Sequence, residues 1–241
     1  MKSKNLCYVF MILLLSAGFA SCSSDDEEDP LIAEGLKTPE FSIEDLQESI
    51  SNVEQATNGT WEIVKVNGYV QSITFGYNAS PETPNSPDDF FNEYLPVTTD
   101  NVIKPSEHNN SDMPHYPQFY KGVPVERGTW HFEYREDALY KVWGRFVPIE
   151  QLNVTPTVSE STAKKIVEKF LEKNVKPSDG DLEKRFYLAI MAFPVNTTME
   201  PRLVYAYKQE NAVMGGDYVY VDAQTGRLLL HINYHGATLD F

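Results

Sequence analysis

The sequence predicts an α+β protein of two domains, each packing a helix on an antiparallel sheet. Strand-like stretches come in runs, at 61–77, 116–147 and 185–234, without the helix between strands that a doubly wound fold requires. Helical spacing precedes each block, at 41–57 and at 157–173. The stretch Pro148 to Pro156 reads as the joint, which places domains at 41–150 and 151–241.

The chain starts with a leader, expected over residues 1–22. Lys2 and Lys4 are followed by the apolar run Leu6 to Leu15 and then by small residues up to Cys22. The run is about ten residues, half of the roughly 20 that a spanning helix needs, so it reads as a secretory signal. Ala20-Ser21-Cys22 resembles a bacterial lipobox, whose cysteine is lipidated and becomes the mature N-terminus. Cys22 is therefore the expected lipid-attachment residue. The only other cysteine, Cys7, would leave with the leader, which excludes a disulfide framework, thiol catalysis and thiolate metal sites.

Residues 23–40 read as an acidic tether, because Asp25-Asp26-Glu27-Glu28-Asp29 repels itself and extends the chain. An acidic run after a lipidated cysteine also resembles the surface-export signal of Bacteroidetes lipoproteins. These features lead us to expect a bacterial outer-membrane protein held by its lipid at the cell surface. The net charge is −15, which disfavours nucleic acid as a partner.

Within the body, Ser42 caps a helix expected from Phe41 to Thr57, with Ile43, Leu46, Ile50 and Val53 on one side. Trp61 to Val66 alternates as a strand, Asn67-Gly68 turns the chain, and Tyr69 to Tyr77 returns. A proline-rich loop spans 79–87. Asp88 to Leu95 is a short helix, with its acids at the positive end and Phe90/Tyr94 and Phe91/Leu95 at i,i+4. Residues 97–114 read as a polar loop. A meander follows over Tyr116–Trp130, Thr129–Tyr134 and Leu139–Val147, with turns at Lys121-Gly122 and Glu136-Asp137. Thr157 and Glu160 form a capping box for the clearest helix, whose Ala163, Ile166, Val167, Phe170 and Leu171 share one face. The last strands are Arg185–Phe193, Arg202–Gln209, Tyr218–Val221 and Leu228–Tyr234, with a turn over Asp222–Gly226.

Little in this pattern carries chemistry. No phosphate-binding, dinucleotide-binding, serine-hydrolase or zincin motif occurs, so no enzyme and no cofactor are expected. His231 and His235 are i,i+4 in a strand-like run, which at about 3.3 Å per residue sets them about 13 Å apart. They cannot share an ion, and no metal is expected. Acid pairs such as Glu133/Glu136 and Asp88/Asp89 are unremarkable among 35 acidic residues. Aromatics crowd residues 115–146. Alternation sends one set into the core and leaves the other for solvent or a partner. Tyr120, Trp130 and Trp143 are the candidate partner-binding residues there, since Trp and Tyr are enriched at interfaces.

Two segments resemble known modules. Pro114-His-Tyr-Pro-Gln-Phe-Tyr-Lys-Gly-Val-Pro-Val-Glu126, with Val142-Trp-Gly-Arg-Phe-Val-Pro148, resembles the fungalysin/thermolysin propeptide (FTP) motif. Pro201–Tyr207 with Tyr218-Val-Tyr-Val-Asp-Ala-Gln-Thr-Gly-Arg-Leu-Leu229 resembles a PepSY domain, and the helix at 157–173 sits where a PepSY helix should. The resemblance implies two cystatin-like or PepSY-like domains acting as a peptidase chaperone and inhibitor. No peptidase sequence lies within the 241 residues, so it implies action in trans, by a non-catalytic envelope lipoprotein that inhibits a secreted peptidase or assists its folding. The alternative is a cell-surface binding module for peptide, glycan or another envelope protein. On the first view the tail Gly236–Phe241 enters a peptidase cleft, with Leu239 or Phe241 in an apolar pocket and the carboxylate near zinc. A frayed terminus is the other reading of that tail.

Overall fold

Strand β6, Val123–Arg135, holds the architecture together. It belongs to a computed structural model that describes residues 38–48, 53–58, 61–76, 83–84, 86–106, 114–175, 183–195, 198–211 and 215–233. One edge of β6 pairs with β5, His115–Tyr120. The other edge is divided. Val125 bridges in parallel to Ile190 of β8, Glu183–Val195. From Trp130 onward it pairs antiparallel with β7, Ala138–Gly144. Arg127, at φ 61°, bends the strand between these two partners.

The remaining strands extend from this junction. On one side lie β3, Tyr69–Thr74, β2, Trp61–Val66, and β1, Val53–Asn58. On the other lie β9, Thr198–Asn211, β10, Gly215–Asp222, and β11, Leu228–Asn233. A short β4, Asn101–Ile103, pairs with β5. The result is one mixed sheet of 11 strands, accompanied among the described residues by three helices: α1, Ile43–Glu48, α2, Pro87–Tyr94, and α3, Glu160–Asn174.

This overturns the expected pair of helix-on-sheet α+β domains. The β6–β8 bridge carries the sheet across the proposed boundary. Residues 40–46 cross it too: Phe41 and Glu40 donate backbone hydrogen bonds to Leu229 and Leu228, and Leu46 is buried among Met191, Phe193 and Leu230. The tether also stops short of residue 40, because Glu40 ion-pairs with Arg202 at 3.2 Å and Arg227 at 3.3 Å. The expected helix over 41–57 ends at Glu48, and 53–58 instead pair with β2, Val53 opposite Val66. Pairing satisfies those backbone groups, and helical spacing yields to it. Asn101–Ile103 forms a strand inside what reads as a loop.

Three two-residue hairpin turns have both central residues at positive φ: Asn67-Gly68, Lys121-Gly122 and Glu136-Asp137. That geometry matches strand twist and accounts for the tight meanders. Helix α2 is capped by Ser86, whose Oγ accepts from Asp89 N at 3.2 Å, and it buries Phe90 and Phe91 on Trp130 and Phe132. Helix α3 is capped by Ser159, which accepts from Thr162 N at 3.2 Å, rather than by Thr157. Thr157 instead donates its amide to Ala223 and its hydroxyl to Gln224, tying the helix entry to the turn before β11. Ala163, Ile166, Val167 and Phe170 bury one face of the β8–β11 strands, while Phe41, Ile43 and Leu46 pack on the other. Burial on both faces explains the continuous apolar runs Ala189–Phe193 and Leu228–Leu230.

Candidate functional site

Strands β3 and β7 are paired at Ser72/Trp143 and part beyond it. Between Tyr69–Gln71 on one side and Arg145–Pro148 on the other, a cleft of about 400 Å³ opens, and the β8–β9 hairpin closes its far wall with Ala192, Thr198 and Met199. Val70, Phe146 and Val147 are buried in its floor. Asn67, Gln71, Thr198 and Arg145 are its polar members.

The wall at 145–152 is fixed by side chains that imitate a strand. Gln118 is wholly buried. Its Nε2 donates to Val147 O at 2.7 Å and its Oε1 accepts from Val147 N at 2.9 Å. Asn101 Nδ2 donates to Ile149 O at 2.7 Å, and Gln118 Nε2 also donates to Asn101 Oδ1 at 3.2 Å. The Tyr120 hydroxyl reaches Glu150 O and Leu152 N, both at 3.4 Å. Gly128 leaves room for the Gln118 side chain, since a Cβ there would lie 3.0 Å from Oε1. The start of the expected joint is thus fixed to the fold, with Ile149 buried and the backbone at 149, 150 and 152 held by side-chain hydrogen bonds.

No protein-family model matches this chain, and no curated protein does.

Arg145 is the electrostatic feature of the cleft. Burial lowers the pKa of its guanidinium, and the like charge of Arg127 lowers it further. Among the described residues no carboxylate ion-pairs with it, although the chain has 35 acidic residues. None of the hydrogen bonds of the described residues involves the Phe146 N–H or C=O, so these two backbone groups beside the cation are unpaired.

The candidates from the sequence are dispersed. Tyr120 is 1% exposed and Trp130 is 0% exposed. Both are core side chains that a partner does not reach, and the Trp130 indole N–H is buried without an acceptor. Trp143 is half-buried on the outer face, stacked on His131 at 5.3 Å, with Lys141 at 5.6 Å. It is the one of the three on a reachable surface, away from the cleft lining. Cys22, Leu239 and Phe241 lie outside the described residues, as does His235. His231 has a structural partner, Asp217 at 2.8 Å, and packs on Phe170. Glu133 pairs with Arg135, and Asp89 serves the α2 cap. Among the described residues no group of three or more His, Cys, Asp or Glu is placed to hold a metal, and no helix is long and apolar enough to cross a membrane.

Sequence reasoning missed Arg145, Gln118 and Asn101. The signal for Arg145 was present: it is the single cation in Val142-Trp-Gly-Arg-Phe-Val-Pro148. Gln118 sits between Pro117 and Phe119, where one polar residue in an aromatic strand marks a buried partner.

Proposed function

We propose that this chain is a non-catalytic, lipid-anchored envelope protein that works by binding, and that it holds and regulates a secreted peptidase in trans through the cleft between β3, the 145–148 wall and the β8–β9 hairpin. One observation carries the reading. The two FTP-like segments, 114–126 and 142–148, are joined behind this cleft: Gln118 of the first hydrogen-bonds Val147 of the second, and residues 145–148 of the second form the cleft wall. A propeptide-like chain acts by binding rather than by turnover, and a preformed cleft with an apolar floor and few polar groups suits that role.

Capture tests it. The full chain, purified in detergent, is incubated with the envelope and secretions of its own bacterium, and bound proteins are identified and assayed. A captured metallopeptidase that loses activity, or folds only with this protein present, agrees with the reading. Retention of a glycan or another envelope protein, and of no peptidase, replaces it with the binding-module alternative. Thr198→Trp, which fills the cleft from an exposed wall position, is expected to abolish capture.

A further inference from the structure

We propose that the cleft takes the C-terminal end of an extended polypeptide, with the terminal carboxylate on Arg145, the last side chain on the apolar floor and the preceding backbone along Phe146. The inference rests on the cleft being the partner site and names what the partner inserts.

Arg145 carries the argument. A guanidinium removed from water costs free energy that a carboxylate partner usually offsets. Here the neighbouring charge is Arg127, of the same sign. Acids outnumber bases 35 to 20 in this chain, yet none among the described residues ion-pairs with Arg145. A planar, always-charged fork suits a carboxylate, which it can hold through two parallel hydrogen bonds.

The surroundings select a chain end over a free anion. Val70, Phe146, Val147 and Met199 offer an apolar bed of about 400 Å³, which an inorganic anion would leave unused. The unpaired N–H and C=O of Phe146 lie just past the end of β7, and an extended chain is the ligand that pairs with such groups. A multiply charged phosphate would find Arg145 as the one cation of the cleft lining, in a molecule of net charge −15. A chain-terminal carboxylate brings a single charge.

The test uses fluorescein-labelled hexapeptides ending in Leu, Met or Phe, each as the free acid and as the C-terminal amide. Binding to the full chain in detergent is read by fluorescence polarisation. At least one acid is expected to bind about 10-fold more tightly than its amide. Arg145→Met is expected to bring the acid down to the amide's affinity and leave the amide unchanged, with Arg145→Lys between the two. Equal affinity of acid and amide, or no binding of any acid, overturns the proposal, and this comparison on the unaltered protein stands even if Arg145→Met does not fold. The parent reading fails separately: if Thr198→Trp captures envelope partners as well as the unaltered chain does, the cleft is not the partner site. If Thr198→Trp loses capture while acid and amide bind alike, the cleft reading stands and the carboxylate assignment falls.

Discussion

Gln118 and Val147 form a two-bond pair in which a side-chain amide takes the place of a neighbouring strand, with Nε2 to O at 2.7 Å and N to Oε1 at 2.9 Å. The pair converts a proline-containing stretch that looks like a linker into the wall of a cleft. Gln118→Leu keeps the approximate volume and removes both bonds, together with the Nε2 bond to Asn101 Oδ1. It would leave the Val147 N–H and C=O buried and unsatisfied, at about 1–3 kcal/mol each. Urea unfolding should show a loss of about 3 kcal/mol. A loss under about 0.5 kcal/mol would mean that water readily replaces the pair.

Gly144 faces Trp130 across the β6–β7 ladder. A Cβ at 144 would stand 2.8 Å from Trp130 Cα and 2.7 Å from its Cδ2. Backbone cannot yield as a flexible side-chain tip does, so Gly144→Ala should cost about 2 kcal/mol or more, in line with overpacked cores. A melting temperature equal to that of the unaltered chain would contradict the tight approach.

Arg145 should weigh on stability for the same reason that it suits a ligand. Arg145→Met replaces a partly desolvated, uncompensated cation with an apolar side chain of similar length. Stability should rise by about 1 kcal/mol, read by thermal unfolding at low salt. A destabilised variant would show that the guanidinium is held by a favourable contact.

His131 predicts an acid limit. Burial first, and the facing His115 second, lower its pKa below the ordinary 6.5. Lys141 of β7 adds positive charge over the Trp143 ring on which His131 stacks. A folded-state pKa below the unfolded one means that the unfolded chain takes up the proton first as pH falls. This contribution is complete above about pH 6.5 and is lost as pH falls from there through the lowered folded value. His131→Gln should flatten the change in melting temperature between pH 7 and pH 5, and a profile that keeps its slope would assign the loss to other groups.

Local signals in this chain were legible and the global arrangement was not. The three hairpin turns follow from Asn67-Gly68, Lys121-Gly122 and Glu136-Asp137, and the α3 face from Ala163, Ile166, Val167 and Phe170. Residues 53–58 show how tertiary pairing overrides spacing: Ile50 and Val53 continue a helical stripe, yet β2 offers that stretch a ladder. The two-domain expectation failed at a contact that periodicity cannot reveal, the parallel bridge between Val125 and Ile190. Burial of Tyr120 and Trp130 was equally hidden, because alternation separates the two faces of a strand without saying which one α2 and α3 will cover. The cleft depends on β3 and β7 parting after Ser72/Trp143, a property of sheet geometry rather than of local sequence.

Photo-crosslinking tests the central claim most directly. A benzoylphenylalanine replaces Thr198 at the cleft wall, or Tyr134, 43% exposed and away from the cleft lining. The full chain is then illuminated in its own cells. The account predicts a covalent adduct from position 198 with a secreted peptidase, attached near that protein's C-terminus, and none from position 134. Adducts from 134 alone, or the same adducts from both positions, would contradict the cleft as the partner site.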